Sequence, residues 1–171
     1  IRDSLIKIKG KKEIPPLNYK IPSDLSSCAF FIVLTILSEN SKLKIRNVNI
    51  NPSRIGILHI LRLMGVKIKK TNFRKYKGEY IADLTIMSTK KIKAVNCSSK
   101  LNSSAIDEFL LIFLVAAKAK GVSYFKNLSE LNEKESPRLE WGSKILTKMG
   151  VRNILTNKSC LLYTSPSPRD R

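Results

Sequence analysis

The sequence predicts a layered α/β domain of about two repeated helix–strand–helix–strand–strand units, helices buried together and sheet on the outside. Three observations carry this. Leu43-Lys44-Ile45-Arg46-Asn47-Val48 and Ser123-Tyr124-Phe125-Lys126-Asn127-Leu128 align at an offset of 80, and the apolar stretches ahead of them share it. Further on, Ile60, Leu61, Met64, Gly65 and Val66 match Ile145, Leu146, Met149, Gly150 and Val151 at an offset of 85. One helix of each copy is apolar all round, which demands burial, while the other carries a single apolar stripe.

Local signals set each element in turn. Ser23-Asp24 offers an N-cap to an apolar helix over about 25–38, and alternation of Leu43 with Ile45 predicts a strand over 42–48. Asn51 then caps a second helix with Pro52 in its first turn, where a missing N–H costs nothing. Its stripe is Ile57, Ile60, Leu61 and Met64, and Gly65 ends it. Strands follow at about 66–69 and 79–87. The order then restarts with a helix at 104–119, a strand at 122–128, a helix at 137–149 and a strand from Val151.

The two offsets differ because the second copy gains five residues between a strand and a helix. That gained segment holds Glu133-Lys134-Glu135-Ser136. Connections on a rigid scaffold are where chemistry usually sits, so a charged insertion in one copy marks a candidate site.

Composition narrows the function classes. The chain has 171 residues with a formal net charge of +19. Its lysines are spread along the whole length, without an aromatic-interleaved basic motif, so a solvated surface is favoured over nucleic-acid binding. The positive field suits small anionic substrates. Cys28 lies in an apolar run, Cys97 in a polar loop and Cys160 near the end, with neither metal-ligand spacing nor a disulfide framework. The longest apolar run, Phe109 to Ala117, is half of the roughly 18 residues a membrane span needs. His59, off the apolar stripe of its helix, is expected to face solvent.

Residues 1–20, with Pro15-Pro16, read as the end of an upstream domain or a crossover segment, and 21–159 as a partial domain. Residues 160–171, Cys-Leu-Leu-Tyr-Thr-Ser-Pro-Ser-Pro-Arg-Asp-Arg, read as an adapter-like artefactual tail outside the fold.

Several stretches together resemble a known family. They are Ile21-Pro22-Ser23-Asp24-Leu25-Ser26-Ser27, Asn51-Pro52-Ser53-Arg54, Ile106-Asp107-Glu108, Leu131-Asn132-Glu133-Lys134-Glu135-Ser136-Pro137-Arg138, and the two Met-Gly-Val turns. In order and over about residues 12–155, they resemble the C-terminal half of the 3-phosphoshikimate 1-carboxyvinyltransferases (5-enolpyruvylshikimate-3-phosphate synthases). The sister UDP-N-acetylglucosamine enolpyruvyl transferases share the fold but match the Ser-Asp-Leu-Ser-Ser and Lys-Glu-Ser segments less well. The resemblance implies an inside-out α/β barrel domain of three related units, of which two are visible here. It also implies a cytoplasmic enzyme without cofactor, metal, membrane or nucleic-acid partner, whose N-terminal domain lies outside this chain.

The chemistry so implied joins the 5-hydroxyl of shikimate-3-phosphate to C2 of phosphoenolpyruvate and expels phosphate. It needs a base for the hydroxyl, an acid for the methylene carbon, and cations for two phosphates and a carboxylate. The resemblance makes Asp107 the proton acceptor and Glu135 the acid, and sets Lys134 on shikimate-3-phosphate and Arg138 on phosphoenolpyruvate. Spacing alone gives another reading of Asp107: Ser104-Ala105-Ile106-Asp107 has capping-box spacing, and the carboxylate would bind a helix N-terminus. A helix from about Ser136-Pro137 would also offer free N–H groups to an anion beside Arg138. Asp24, Ser26 and Ser27 read as helix-start residues. Asn132 and Glu133 stand where the family usually has Arg-Val, Pro137 replaces a usual Asp, and Leu110 a usual Pro.

Overall fold

The computed structural model describes residues 18–156 and 159–163, together with Lys7, Lys9, Gly10, Glu13 and Pro16. The expectation for the start of the chain falls mostly outside these residues, as does that for 164–171.

Asp24 caps the first helix, α1 (Leu25–Leu37), its carboxylate accepting from the Ser27 N–H at 2.8 Å and the Ser27 hydroxyl at 2.7 Å. Strand β1 (Lys42–Asn49) follows, then a 3-10 turn at Pro52–Arg54 and helix α2 (Gly56–Leu63). The helix predicted from Pro52 therefore begins with a tighter turn, which Asn51 caps through the Ser53 N–H. The stripe predicted for α2 is buried at all four positions, and His59 faces solvent. Strands β2 (Ile68–Tyr76) and β3 (Glu79–Met87) form a hairpin across Lys77-Gly78, both at positive φ as a tight two-residue turn requires. In the sheet β1 and β2 flank β3, all antiparallel.

The second copy repeats the pattern. Its elements are α4 (Phe109–Ala117), β5 (Val122–Phe125), a 3-10 turn at Ser129–Asn132, α5 (Arg138–Lys148), β6 (Asn153–Leu155) and β7 (Cys160–Tyr163). Here β5 and β6 flank β7, the same order as in the first sheet, and a short parallel strand β4 (Asn96–Cys97) joins the outer side of β5. Backbone geometry records the duplication: Asn47 and Asn127 have φ of 53° and 55°, and Gly65 and Gly150 have 89° and 80°. Both offsets read from the sequence are thus preserved as left-handed residues at equivalent joints.

Several expectations need correction. The first concerns the tail: Cys160–Tyr163 belongs to the fold, paired with both β5 and β6, and Cys160 and Leu162 are fully buried. Those two residues supply the period of two that marks a half-buried strand, too short to stand out in sequence. The second concerns the predicted helix 104–119. It is broken into α3 (Asn102–Ala105) and α4, with Ile106 to Glu108 between them. The third is Cys97, which lies buried in β4 rather than in a polar loop, and desolvation pushes its thiol up to about 11.

The core lies between the helices and the sheets. Phe109, Phe113 and Phe125 form a mutual cluster with centroid separations of 6.0, 6.0 and 5.2 Å. Such aromatic contacts are worth about 1 kcal/mol each beyond area burial. Helix α1 packs on α4 and on strands β1 and β3, with Cys28, Ala29, Ile32, Val33 and Ile36 buried in the core. Its other side does not fulfil the all-round burial expected of it: Phe30, Phe31 and Leu34 are about two-thirds exposed, because no described element covers them. Trp141 and Ile145 of α5, and Met149 just after it, are likewise open. Helix α5 approaches α4 at Gly142, where a Cβ would lie 2.5 Å from a Leu110 methyl. The leucine that departs from the family pattern thus fills a notch that glycine leaves.

Candidate active site

The break between α3 and α4 creates the site. Because residues 106–108 leave the helix, Asp107 projects from the junction instead of lying on a helix face, and its side chain is 37% exposed. The capping reading fails: neither α3 nor α4 has a side-chain cap bond, and the Ser104 hydroxyl donates to the Leu101 carbonyl. Cations face the carboxylate instead. Oδ1 lies 3.4 Å from Arg138 Nη1 and 3.7 Å from Lys134 Nζ, while Oδ2 lies 3.8 Å from Arg54 Nη2. The residues singled out from sequence, Asp107, Lys134, Glu135 and Arg138, are brought together.

The inserted connection presents three of them. Arg138 is the first residue of α5, and its guanidinium bridges Asp107 and Glu135. The hydrogen bond from Arg138 holds the Glu135 carboxyl below its ordinary range, and the same bond raises the arginine. Glu135 is an exposed carboxylate whose proton affinity is lowered first by Arg138.

The first turn of α5 does not offer free N–H groups, contrary to expectation. Asn132 Oδ1 accepts from the backbone N–H of Leu139 at 3.0 Å and of Glu140 at 3.3 Å, and the Arg138 N–H donates to the Ser136 carbonyl. Pro137 occupies the position before the helix, with no side chain able to cap it. The departure at Asn132 thus supplies a cap from six residues upstream of the helix start, satisfying donors that the helix itself leaves unpaired.

Sequence reasoning missed three contributors. Arg54 belongs to a quoted motif but carried no role, Ser26 was read as a helix-start residue, and Glu108 was passed over beside Asp107. The Ser26 hydroxyl donates to Glu108 Oε1 at 2.5 Å and accepts from Arg54 Nη2 at 3.2 Å. Glu108 is only 3% exposed, and burial raises its carboxyl pKa above the ordinary value. No sequence signal finds this cluster, since its members are 28 and 82 residues apart and only tertiary packing unites them.

Duplicated α/β units meeting at a cation-lined carboxylate define the class. The structure matches EPSP synthase from Acinetobacter baumannii with a TM-score of 0.82 and 33% identity, covering 86% of this chain and 33% of that one. The enolpyruvyl transferase NikO from Streptomyces tendae, at 16% identity and a TM-score of 0.59, shares the fold. This is the enolpyruvyl-transferase architecture.

Within that class, the chain belongs to the EPSP synthase (3-phosphoshikimate 1-carboxyvinyltransferase) family, whose model matches residues 2–165. It is 37% identical over 144 residues to the 3-phosphoshikimate 1-carboxyvinyltransferase of Ruthia magnifica, covering 84% of this chain and 33% of the relative. With that of Legionella pneumophila (strain Corby) identity is 41% over 151 residues, covering 88% and 35%. The chain spans about a third of the length of these relatives.

Proposed function

We propose that this chain supplies one side of an active site that transfers the enolpyruvyl group of phosphoenolpyruvate to the 5-hydroxyl of shikimate-3-phosphate, releasing phosphate. The observation that carries the reading is the Asp107 carboxylate, half open and faced by cations from both repeated units within 3.8 Å. In this reading Asp107 accepts the hydroxyl proton, Lys134 holds shikimate-3-phosphate and Arg138 grips phosphoenolpyruvate with its planar fork. Glu135 protonates the methylene carbon as the new C–O bond forms and takes a proton back from it as the bond to phosphate breaks. Its proton affinity is depressed first by the Arg138 hydrogen bond, so an anion that draws the guanidinium away moves Glu135 back toward the ordinary carboxylate range.

The resemblance sets the family's remaining anion-binding groups on segments outside this chain, so the 171 residues alone should bind either substrate weakly and without turnover. The reading also places the activity in the cytoplasm, because phosphorylated substrates do not cross membranes unaided. Among the described residues, no helix is long and apolar enough to span a membrane.

The test replaces the matched third of the Legionella relative with residues 18–163 of this chain and follows phosphate release with both substrates present. Turnover that is abolished by Asp107→Asn and by Glu135→Gln is the expected result. A folded chimera without turnover, or one indifferent to both substitutions, would overturn the assignment.

A further inference from the structure

Asp107 divides its two oxygens between the repeated units. The second unit's insertion takes Oδ1 through Lys134 and Arg138, whereas the first unit reaches Oδ2 through Arg54. What holds Arg54 is the feature that the catalytic reading leaves unused. A carboxylate as deeply buried as Glu108 is costly unless it is partnered, and its side-chain partner is the Ser26 hydroxyl. A hydroxyl has one hydrogen to give. Since Ser26 directs it at Glu108, only lone pairs remain for Arg54, and the guanidinium is the matching donor.

Donor directions therefore run one way, from Arg54 to Ser26 to Glu108. Arg54 Nη2 carries two hydrogens: one serves Ser26, and the same nitrogen lies 3.8 Å from Asp107 Oδ2 as an ion pair. The three residues come from the start of α1, the turn before α2 and the α3–α4 break, so the chain of contacts crosses between the units.

We propose that Arg54, fixed by Ser26 and Glu108, is a positioning residue for Asp107, setting the plane of its carboxylate so that Oδ1 stays turned toward Lys134 and Arg138. The catalytic consequence rests on the reading of Asp107 as proton acceptor, while the geometric claim does not. A carboxylate free to rotate would meet the substrate hydroxyl in the wrong orientation, and misplacement on this scale costs on the order of 10²-fold in rate.

Two measurements test this. In the 171-residue chain labelled with [13C]aspartate, the Asp107 carboxyl resonance, assigned through Asp107→Asn, should move beyond its line width in Arg54→Gln. It should move less in Ser26→Ala and Glu108→Gln, return toward the parent position in Arg54→Lys, and stay unmoved in Lys148→Gln. An Asp107 resonance indifferent to Arg54→Gln, with amide spectra showing an intact fold, would overturn the proposal. In the active chimera, Arg54→Gln should lower kcat on the order of 10²-fold and leave the KM for phosphoenolpyruvate nearly unchanged, with partial rescue by Arg54→Lys. Unchanged kcat would also refute it. If the parent chimera is inactive the transfer reaction fails as a reading, and the carboxyl resonance still decides the positioning role.

Discussion

Asn132 and Leu139 are joined by a 3.0 Å hydrogen bond from the leucine backbone N–H to the asparagine Oδ1, which spans the inserted connection and starts α5. Lys134, Glu135 and Arg138 all lie inside or beside that span, so one side chain fixes the loop that carries the charged groups. Removing the acceptor with Asn132→Ala should cost about 1 kcal/mol, the usual worth of an N-cap. Asn132→Asp keeps the acceptor and should restore it. Urea denaturation of the three proteins measures both; equal midpoints would show that the cap contributes nothing.

Gly56 lies against Ser104 so closely that an added Cβ would sit 2.7 Å from its backbone carbonyl. Backbone cannot yield as a side chain can, so Gly56→Ala should destabilise by about 2 kcal/mol. The loss should appear as a lower denaturation midpoint with an unchanged m-value. Since residue 56 opens α2 and residue 104 lies in α3, the same substitution should also perturb the Asp107 junction.

Glu108 gives the protein a pH signature of definite sign. Its folded-state proton affinity is raised by burial above the ordinary value of 4.5. The resulting stabilisation is complete below that value and is lost as pH rises through the folded-state value. Glu108→Gln keeps an acceptor for Ser26 and cannot ionise. The variant should therefore show a flatter rise in instability than the parent when Tm is followed between about pH 4 and pH 8. Parallel curves would mean that Glu108 titrates normally.

Arg138 is shared between Asp107 and Glu135, so in the proposed role phosphoenolpyruvate competes with both for it. In the chimera, Arg138→Lys keeps the charge but loses the fork. It should weaken phosphoenolpyruvate binding by roughly tenfold or more, since hydrogen bonds to charged groups are worth about 1.5–3 kcal/mol. Calorimetric titration reads this directly, and unchanged affinity would move the anion site elsewhere.

The duplicated frame was legible because its joints are chemically constrained. Asn47 with Asn127 and Gly65 with Gly150 adopt positive φ, which few residues tolerate, so the chain marks them openly. The α2 stripe was equally plain. By contrast, the interruption at residues 106–108 was hidden inside a helix-forming run, and the groups that contact Asp107 and Glu108 there, Arg54 and Ser26, are distant in sequence. Strand β2 was read short for a different reason: most of Lys69–Tyr76 is polar and exposed, and its pairing to β3 is fixed by the hairpin rather than by a hydrophobic pattern. At the site, the insertion drew attention to Lys134, Glu135 and Arg138 but not to how they are held. Asn132 departs from the family pattern in sequence, and only the folded chain shows it reaching the start of α5.

Phe30, Phe31 and Leu34 stand in water on a helix whose opposite side is dry. Each raises the free energy of the dissolved chain without weakening its internal packing. Solubility, rather than unfolding, should therefore limit how concentrated a sample becomes, and precipitation should set in while the near-ultraviolet signal of the native state is still intact.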